Sequence, residues 1–141
     1  PQSPPPSPQT LAYIGDSVYE LLVRTTLLYP LRKTSSYHDG VVRLVRAEAQ
    51  SRVLKAVVDT GLTDEEASVV RRGRNAVKRS PSRFGSSSAS AAAASKGPGV
   101  YQDSTSLEAL IGHLYLTDPE GDRTREVMET VRGEVVRMQE E

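Results

Sequence analysis

Two apolar runs lying far apart in the chain, Leu11-Ala-Tyr-Ile-Gly-Asp16-Ser-Val-Tyr-Glu20 and Ser104-Thr-Ser-Leu-Glu108-Ala-Leu-Ile-Gly-His-Leu-Tyr-Leu116, each carry a carboxylate and a glycine inside a helical pattern. Glycine costs a helix interior about 1 kcal/mol relative to alanine and is useful where another backbone must come close. Gly15 precedes Asp16, and Gly112 lies one turn beyond Glu108. Two helices packed at these glycines would bring Asp16 and Glu108 together, and ionised groups among leucines need a partner, either an ion pair or a hard cation such as Mg²⁺. A simpler reading stays open beside this one. Asp16 and Glu20 share a helix face turned away from the apolar stripe, with Arg24 placed to pair Glu20, and Thr105-Ser-Leu-Glu108 fits a capping box in which Glu108 only reaches back to the backbone.

The periodicity predicts an all-α chain of about five main helices, with no useful strand alternation and no solenoid repeat. Pro1 to Gln9 reads as a Pro/Ser-rich disordered tail, and residues 10–141 as a single domain. Leu11, Ile14, Val18, Leu21, Leu22 and Leu28 predict a first helix capped by Thr10 and stopped by Pro30. A second should cover about Tyr37 to Val58, with Val41, Leu44, Val45, Leu54 and Val57 inward. Thr63-Asp-Glu-Glu66 is a capping-box signature opening a third helix that runs to about Lys78. Residues 85–99, all small side chains apart from Lys96 and Pro98, read as a low-complexity loop insertion. A fourth helix should start near Asp103 and bury Leu107, Leu110, Ile111 and Leu114. Asp118-Pro119 looks like a cap and first-turn proline opening a fifth, through Val127, Met128, Val131 and Val135.

The 18 basic and 18 acidic residues cancel, but unevenly. Arg71, Arg72, Arg74, Lys78, Arg79 and Arg83 follow one another with no acid among them, a local field that attracts phosphate. Gly73 and Asn75 among them suggest a helix that ends or bends there. No P-loop glycine pattern is present, which favours nucleic acid over a small phosphate. The lack of cysteine removes disulfides, thiolate zinc sites and cysteine nucleophiles and fits a reducing compartment. No serine has a nucleophile-elbow context, and His38 and His113 lack metal-ligand spacing. No run is long and apolar enough to span a bilayer and no signal-peptide pattern is visible, so a soluble domain without a membrane partner is expected.

At these residues the chain resembles ribonuclease III catalytic domains, and most closely the Mini-ribonuclease III type, which lacks a double-stranded-RNA-binding domain. The resemblance covers most of residues 10–117 and rests on four blocks in order: residues 11–20, His38 to Gln50 with Arg43, Val45 and Ala47, Arg71-Arg-Gly-Arg-Asn-Ala76, and Ser104 to Gly112. It implies an all-helical endoribonuclease domain that works as a homodimer, cuts double-stranded or structured precursor RNA with Mg²⁺, and matures ribosomal RNA. It assigns metal binding and catalysis to Asp16 and Glu108. RNA contacts would fall to Arg71, Arg72, Arg74, Asn75, Lys78 and Arg79. Larger ribonuclease III proteins carry further acids where this chain has Ala12 and Thr105, and the Mini type is similarly depleted. Past Ala76 the chain departs from the Mini pattern, with Val77-Lys-Arg-Ser-Pro-Ser-Arg83 and the Ser/Ala insertion. These last features resemble plant or algal organellar versions, so a plastid (chloroplast stroma) location is expected, with a bacterial cytoplasm as the alternative. The rival functions are a catalytically silent ribonuclease III-like RNA-binding or structural protein of an organellar ribonucleoprotein, and a helical dimerisation module that meets an acidic protein.

Overall fold

In a computed structural model, residues 3–79 and 99–141 are described, and all their regular structure is helical. Most of the 85–99 insertion, together with Arg83, lies outside these residues. The elements are α1 (Pro8–Thr26), α2 (Thr34–Val45), α3 (Ala47–Asp59), α4 (Asp64–Arg79), α5 (Val100–Thr117) and α6 (Asp122–Gln139).

Several boundaries differ from the sequence expectation, the second and fourth expected helices starting at Thr34 and Val100 rather than near Tyr37 and Asp103, and three further differences have a local reason. α1 starts inside the Pro/Ser stretch, because Ser7 caps it by accepting from the Thr10 N–H at 3.1 Å and Pro8 occupies the first turn, where its missing N–H costs nothing. The expected second helix is two helices. Arg46 adopts an extended conformation (ψ 158°) and serves as C-cap of α2 and N-cap of α3. The last helix opens at Asp122 behind Gly121 rather than at Asp118, and Asp118 to Gly121 form a turn closed by Gly121 N–H donating to the Asp118 carbonyl at 3.2 Å. The box at Thr63 forms as expected: Glu66 N–H donates to Thr63 Oγ1 at 3.1 Å and Thr63 N–H to Glu66 Oε1 at 3.2 Å.

α5 is the central element, packed by α1, α3 and α4. Leu107, Ala109, Leu110, Ile111, Gly112 and Leu114 are all buried, so the helix is apolar on most of its circumference, as a helix surrounded by others must be. Tyr19, Leu22 and Val23 of α1, Leu44 of α2, Val53 and Val57 of α3 and Val127, Val131 and Val135 of α6 complete one core. Leu11, Ala12, Val69 and Ala109 form a smaller apolar cluster between α1, α4 and α5. The apolar face of α1 is rotated from the expected stripe: Leu21 is 63% exposed, whereas Ala12, Gly15 and Tyr19 face inward. That rotation carries Asp16 to the edge of the buried face.

Ion pairs tie the periphery to this core. Arg123 of α6 reaches Glu66 at 2.7 Å and donates to the Gly61 carbonyl at 2.8 Å, so α6 secures the start of α4. Arg52 of α3 meets Glu134 at 2.8 Å, and Arg43 of α2 donates to the Met138 carbonyl near the end of α6.

Candidate active site

The site is built on the crossing of α1 and α5. A Cβ added to Gly15 would overlap the backbone carbonyl oxygen of Glu108 and lie 2.9 Å from Gly112 N. One added to Gly112 would overlap the Leu11 carbonyl oxygen and lie 3.1 Å from Gly15 N. The two glycines therefore face each other, backbone on backbone, and no neighbouring side chain could yield to make room. Asp16 and Glu108, each beside one of these glycines, have their carboxyl groups in hydrogen-bonding contact. Glu108 lies in the third turn of α5, which starts at Val100, so it does not close a capping box with Thr105.

Burial, the Asp16 carboxylate and its hydrogen bond together push the Glu108 carboxyl well above the usual range, with Glu20 adding a smaller repulsion. Two carboxylates in contact must hold either a proton or a cation between them. Glu20 is half-exposed and has Arg24 at 3.7 Å on the same helix, the surface pair that its spacing suggested.

Two further side chains bracket Glu108, and the sequence reading gave neither a role. Gln50 of α3 is 1% exposed; its Nε2 donates to Glu108 Oε2 at 3.3 Å and to the Val45 carbonyl at 3.1 Å. Its Oε1 is buried with no donor among the described residues. Tyr19 of α1 is fully buried, and its hydroxyl donates to the Leu44 carbonyl at 2.7 Å. Burial first, and then the Glu108 charge, raise the pKa of that hydroxyl. Gln50 did carry a signal: an amide on the inward stripe of α3 with Ala47, Val53, Leu54 and Val57 is a polar group that must have a buried partner.

The donor set suits a hard divalent ion: carboxylate oxygens in contact, with a buried amide beside Glu108. Among the described residues no group of three or more His, Asp or Glu side chains is close enough to enclose an ion. An ion held by Asp16 and Glu108 would draw much of its shell from water, as Mg²⁺ commonly does.

The basic cluster lies on α4, which continues straight through Gly73 rather than ending there. Gly73 is buried against α5, where an added Cβ would come within 3.2 Å of Ala109 Cβ and Ser106 Cα. Arg71, Arg72 and Asn75 are exposed. Arg74 is partly exposed and pairs with Asp103, which also accepts from Ser51 Oγ at 2.6 Å, so its charge joins α3, α4 and α5. Lys78 and Arg79 stand in the last turn of α4. His113 is satisfied by Glu65 at 2.9 Å and His38 is exposed.

The family model of the ribonuclease III domain matches residues 9–119. Relatives named Mini-ribonuclease 3 include one from Synechococcus sp., 43% identical over 81% of this chain and 73% of its own length, and one from Thermosynechococcus vestitus, 37% identical over 91% and 75%. Another, from Symbiobacterium thermophilum, is 37% identical over 86% of this chain and 85% of its own. A solved structure of a Fusobacterium nucleatum protein superimposes with a TM-score of 0.69 at 25% identity, covering 94% of this chain and 93% of that one.

Proposed function

The chain belongs to the ribonuclease III family, in its Mini-ribonuclease 3 branch, and is therefore an endoribonuclease; from that premise we propose that it cuts double-stranded or structured precursor RNA, ribosomal RNA precursors above all, as a Mg²⁺-dependent homodimer with Asp16 and Glu108 as the metal-binding pair. The observation that carries this reading is the carboxyl contact between Asp16 and Glu108, set by a glycine crossing that admits no side chain between the two helices.

When bound, Mg²⁺ supplies activation of the attacking water and stabilisation of the departing 3′ oxygen. The protein's residues do the rest. Asp16 and Glu108 set where the ion and hence the scissile phosphate sit, and the low-dielectric wall of α5 beneath them strengthens each charge interaction at that point. Exposed Arg71, Arg72 and Asn75, joined by Lys78 and Arg79, hold flanking phosphates, while Arg74 keeps α4 in register on α5 through Asp103. A plastid location is supported by the likeness to cyanobacterial relatives such as those from Synechococcus and Synechocystis. No helix among the described residues is long and apolar enough to cross a membrane.

Long duplex RNA incubated with the protein and Mg²⁺ tests the reading, run beside a mass measurement in solution. Shortened duplex products, their loss in Asp16→Asn, and a mass of twice the protomer are expected. Salt-dependent binding without any cut in the native protein would leave a silent RNA-binding domain instead.

A further inference from the structure

We propose that Gln50 is a positioning residue of the metal-binding pair: its Nε2, anchored on the Val45 carbonyl, holds the Glu108 carboxylate in a fixed rotamer. The inference rests on the reading of Asp16 and Glu108 given above, and extends it to a residue on a third helix.

The break between α2 and α3 explains how Gln50 is oriented. Because Arg46 is extended, the last carbonyls of α2 have no helical N–H ahead of them and must find other donors. Tyr19 from α1 supplies one to Leu44, and Gln50 from α3 supplies one to Val45. A backbone carbonyl can only accept, so the NH₂ edge of the amide has to face Val45, and the opposite orientation would set two oxygens against each other. With that edge fixed, the second N–H of the same group points to Glu108 Oε2 at 3.3 Å. The two-helix break thus controls which end of Gln50 meets the carboxylate.

The consequence for Glu108 is conformational. A glutamate has three rotatable side-chain bonds, and freezing them opposes ion binding unless they are frozen beforehand. Gln50, itself buried and held by Val45, freezes them in the absence of any ligand. Both of its hydrogens are then spent, and its Oε1 is buried without a donor among the described residues.

The test uses Mn²⁺ as a paramagnetic probe, followed by EPR on the full-length protein without RNA, together with thermal melts. Native protein should bind Mn²⁺ and Asp16→Asn should not. Gln50→Met, of similar length and without an amide, should weaken Mn²⁺ binding about 10- to 100-fold, the usual effect of losing a partner behind a metal ligand. In RNA cleavage it should lower kcat with KM for duplex little changed. Gln50→Glu, which turns an acceptor toward both Val45 and Glu108, should weaken binding at least as much. A melting temperature lowered in both variants with Mn²⁺ affinity and kcat intact would show that Gln50 only caps α2, and would overturn the proposal. Failure of the native protein itself to bind Mn²⁺ would instead overturn the metal-pair reading and this inference with it. Should Gln50→Met not fold, the Gln50→Glu affinity decides alone.

Discussion

At the scale of single residues, the carboxyl of Glu108 is held under stress. Its folded pKa is raised by burial and by Asp16, so the fold prefers it protonated; stability is greatest below the ordinary carboxylate value and declines as pH rises toward the folded one. At neutral pH and without metal this group therefore opposes folding. Glu108→Gln, which keeps the shape and can donate to Asp16, should melt several degrees higher than the native chain in EDTA while losing cleavage. Adding Mg²⁺ should raise the native melting temperature and leave the variant where it was. A variant that melts lower in EDTA would show that the pair is not strained. Glu66 behaves in the opposite sense. The Arg123 guanidinium holds its carboxyl below the usual range, against burial, so the pair's contribution is present above about pH 4.5 and is lost as pH falls through the folded value. Arg123→Met leaves a buried carboxylate with the Thr63 N–H but without its guanidinium and should cost about 3 kcal/mol near neutrality, with the deficit shrinking in acid melts as Glu66 takes up a proton.

At the scale of helices, the crossing of α1 and α5 decides everything the site can do. Gly15→Ala or Gly112→Ala places a methyl group against backbone atoms, so the helices must separate. Each should destabilise by about 1–3 kcal/mol or more and reduce Mn²⁺ binding, although neither residue has a side chain to contribute. Gly133→Ala in α6 is the control, since the nearest atom to its Cβ is the flexible tip of Arg137 at 3.8 Å; helix propensity predicts a gain of up to about 1 kcal/mol with metal binding unchanged. The crossing was legible in the sequence because a glycine inside an apolar helical run has few other uses. The box at Thr63 was legible because it is a local reciprocal bond. The Arg46 break was not: no glycine, proline or short polar cluster marks it, and what sustains it comes from Tyr19 and Gln50 on other helices. The start of α1 was hidden for a different reason, since prolines that signal disorder in a tail also suit a helix's first turn. Arg74 could not be told from its neighbours by charge alone, because Asp103 reaches it only after α5 has packed on α4.

At the scale of the whole molecule, a chain with equal numbers of acids and bases has no net charge with which to gather RNA, so attraction must come from a local patch. On α4, Gly73 is turned onto α5, which leaves Arg71, Arg72 and Asn75 facing outward. Each arginine that touches a phosphate releases condensed counterions, and its removal should lower the slope of log affinity against log salt by about one. Arg71→Ala and Arg72→Ala, measured with duplex RNA on an Asp16→Asn background so that no cutting intervenes, should each show this loss and melt like the parent. Arg74→Ala should do the reverse. Its charge is committed to Asp103 within the fold, so the slope should stay near the parent's while the melting temperature falls, because Asp103, largely buried, keeps the Ser51 hydroxyl but loses the guanidinium. A slope that falls equally for Arg74 would mean that RNA competes for its guanidinium and draws it from Asp103. Docking of duplex would then loosen the seam between α3, α4 and α5, and the crossing that holds Glu108 would respond to substrate rather than stand ready before it arrives.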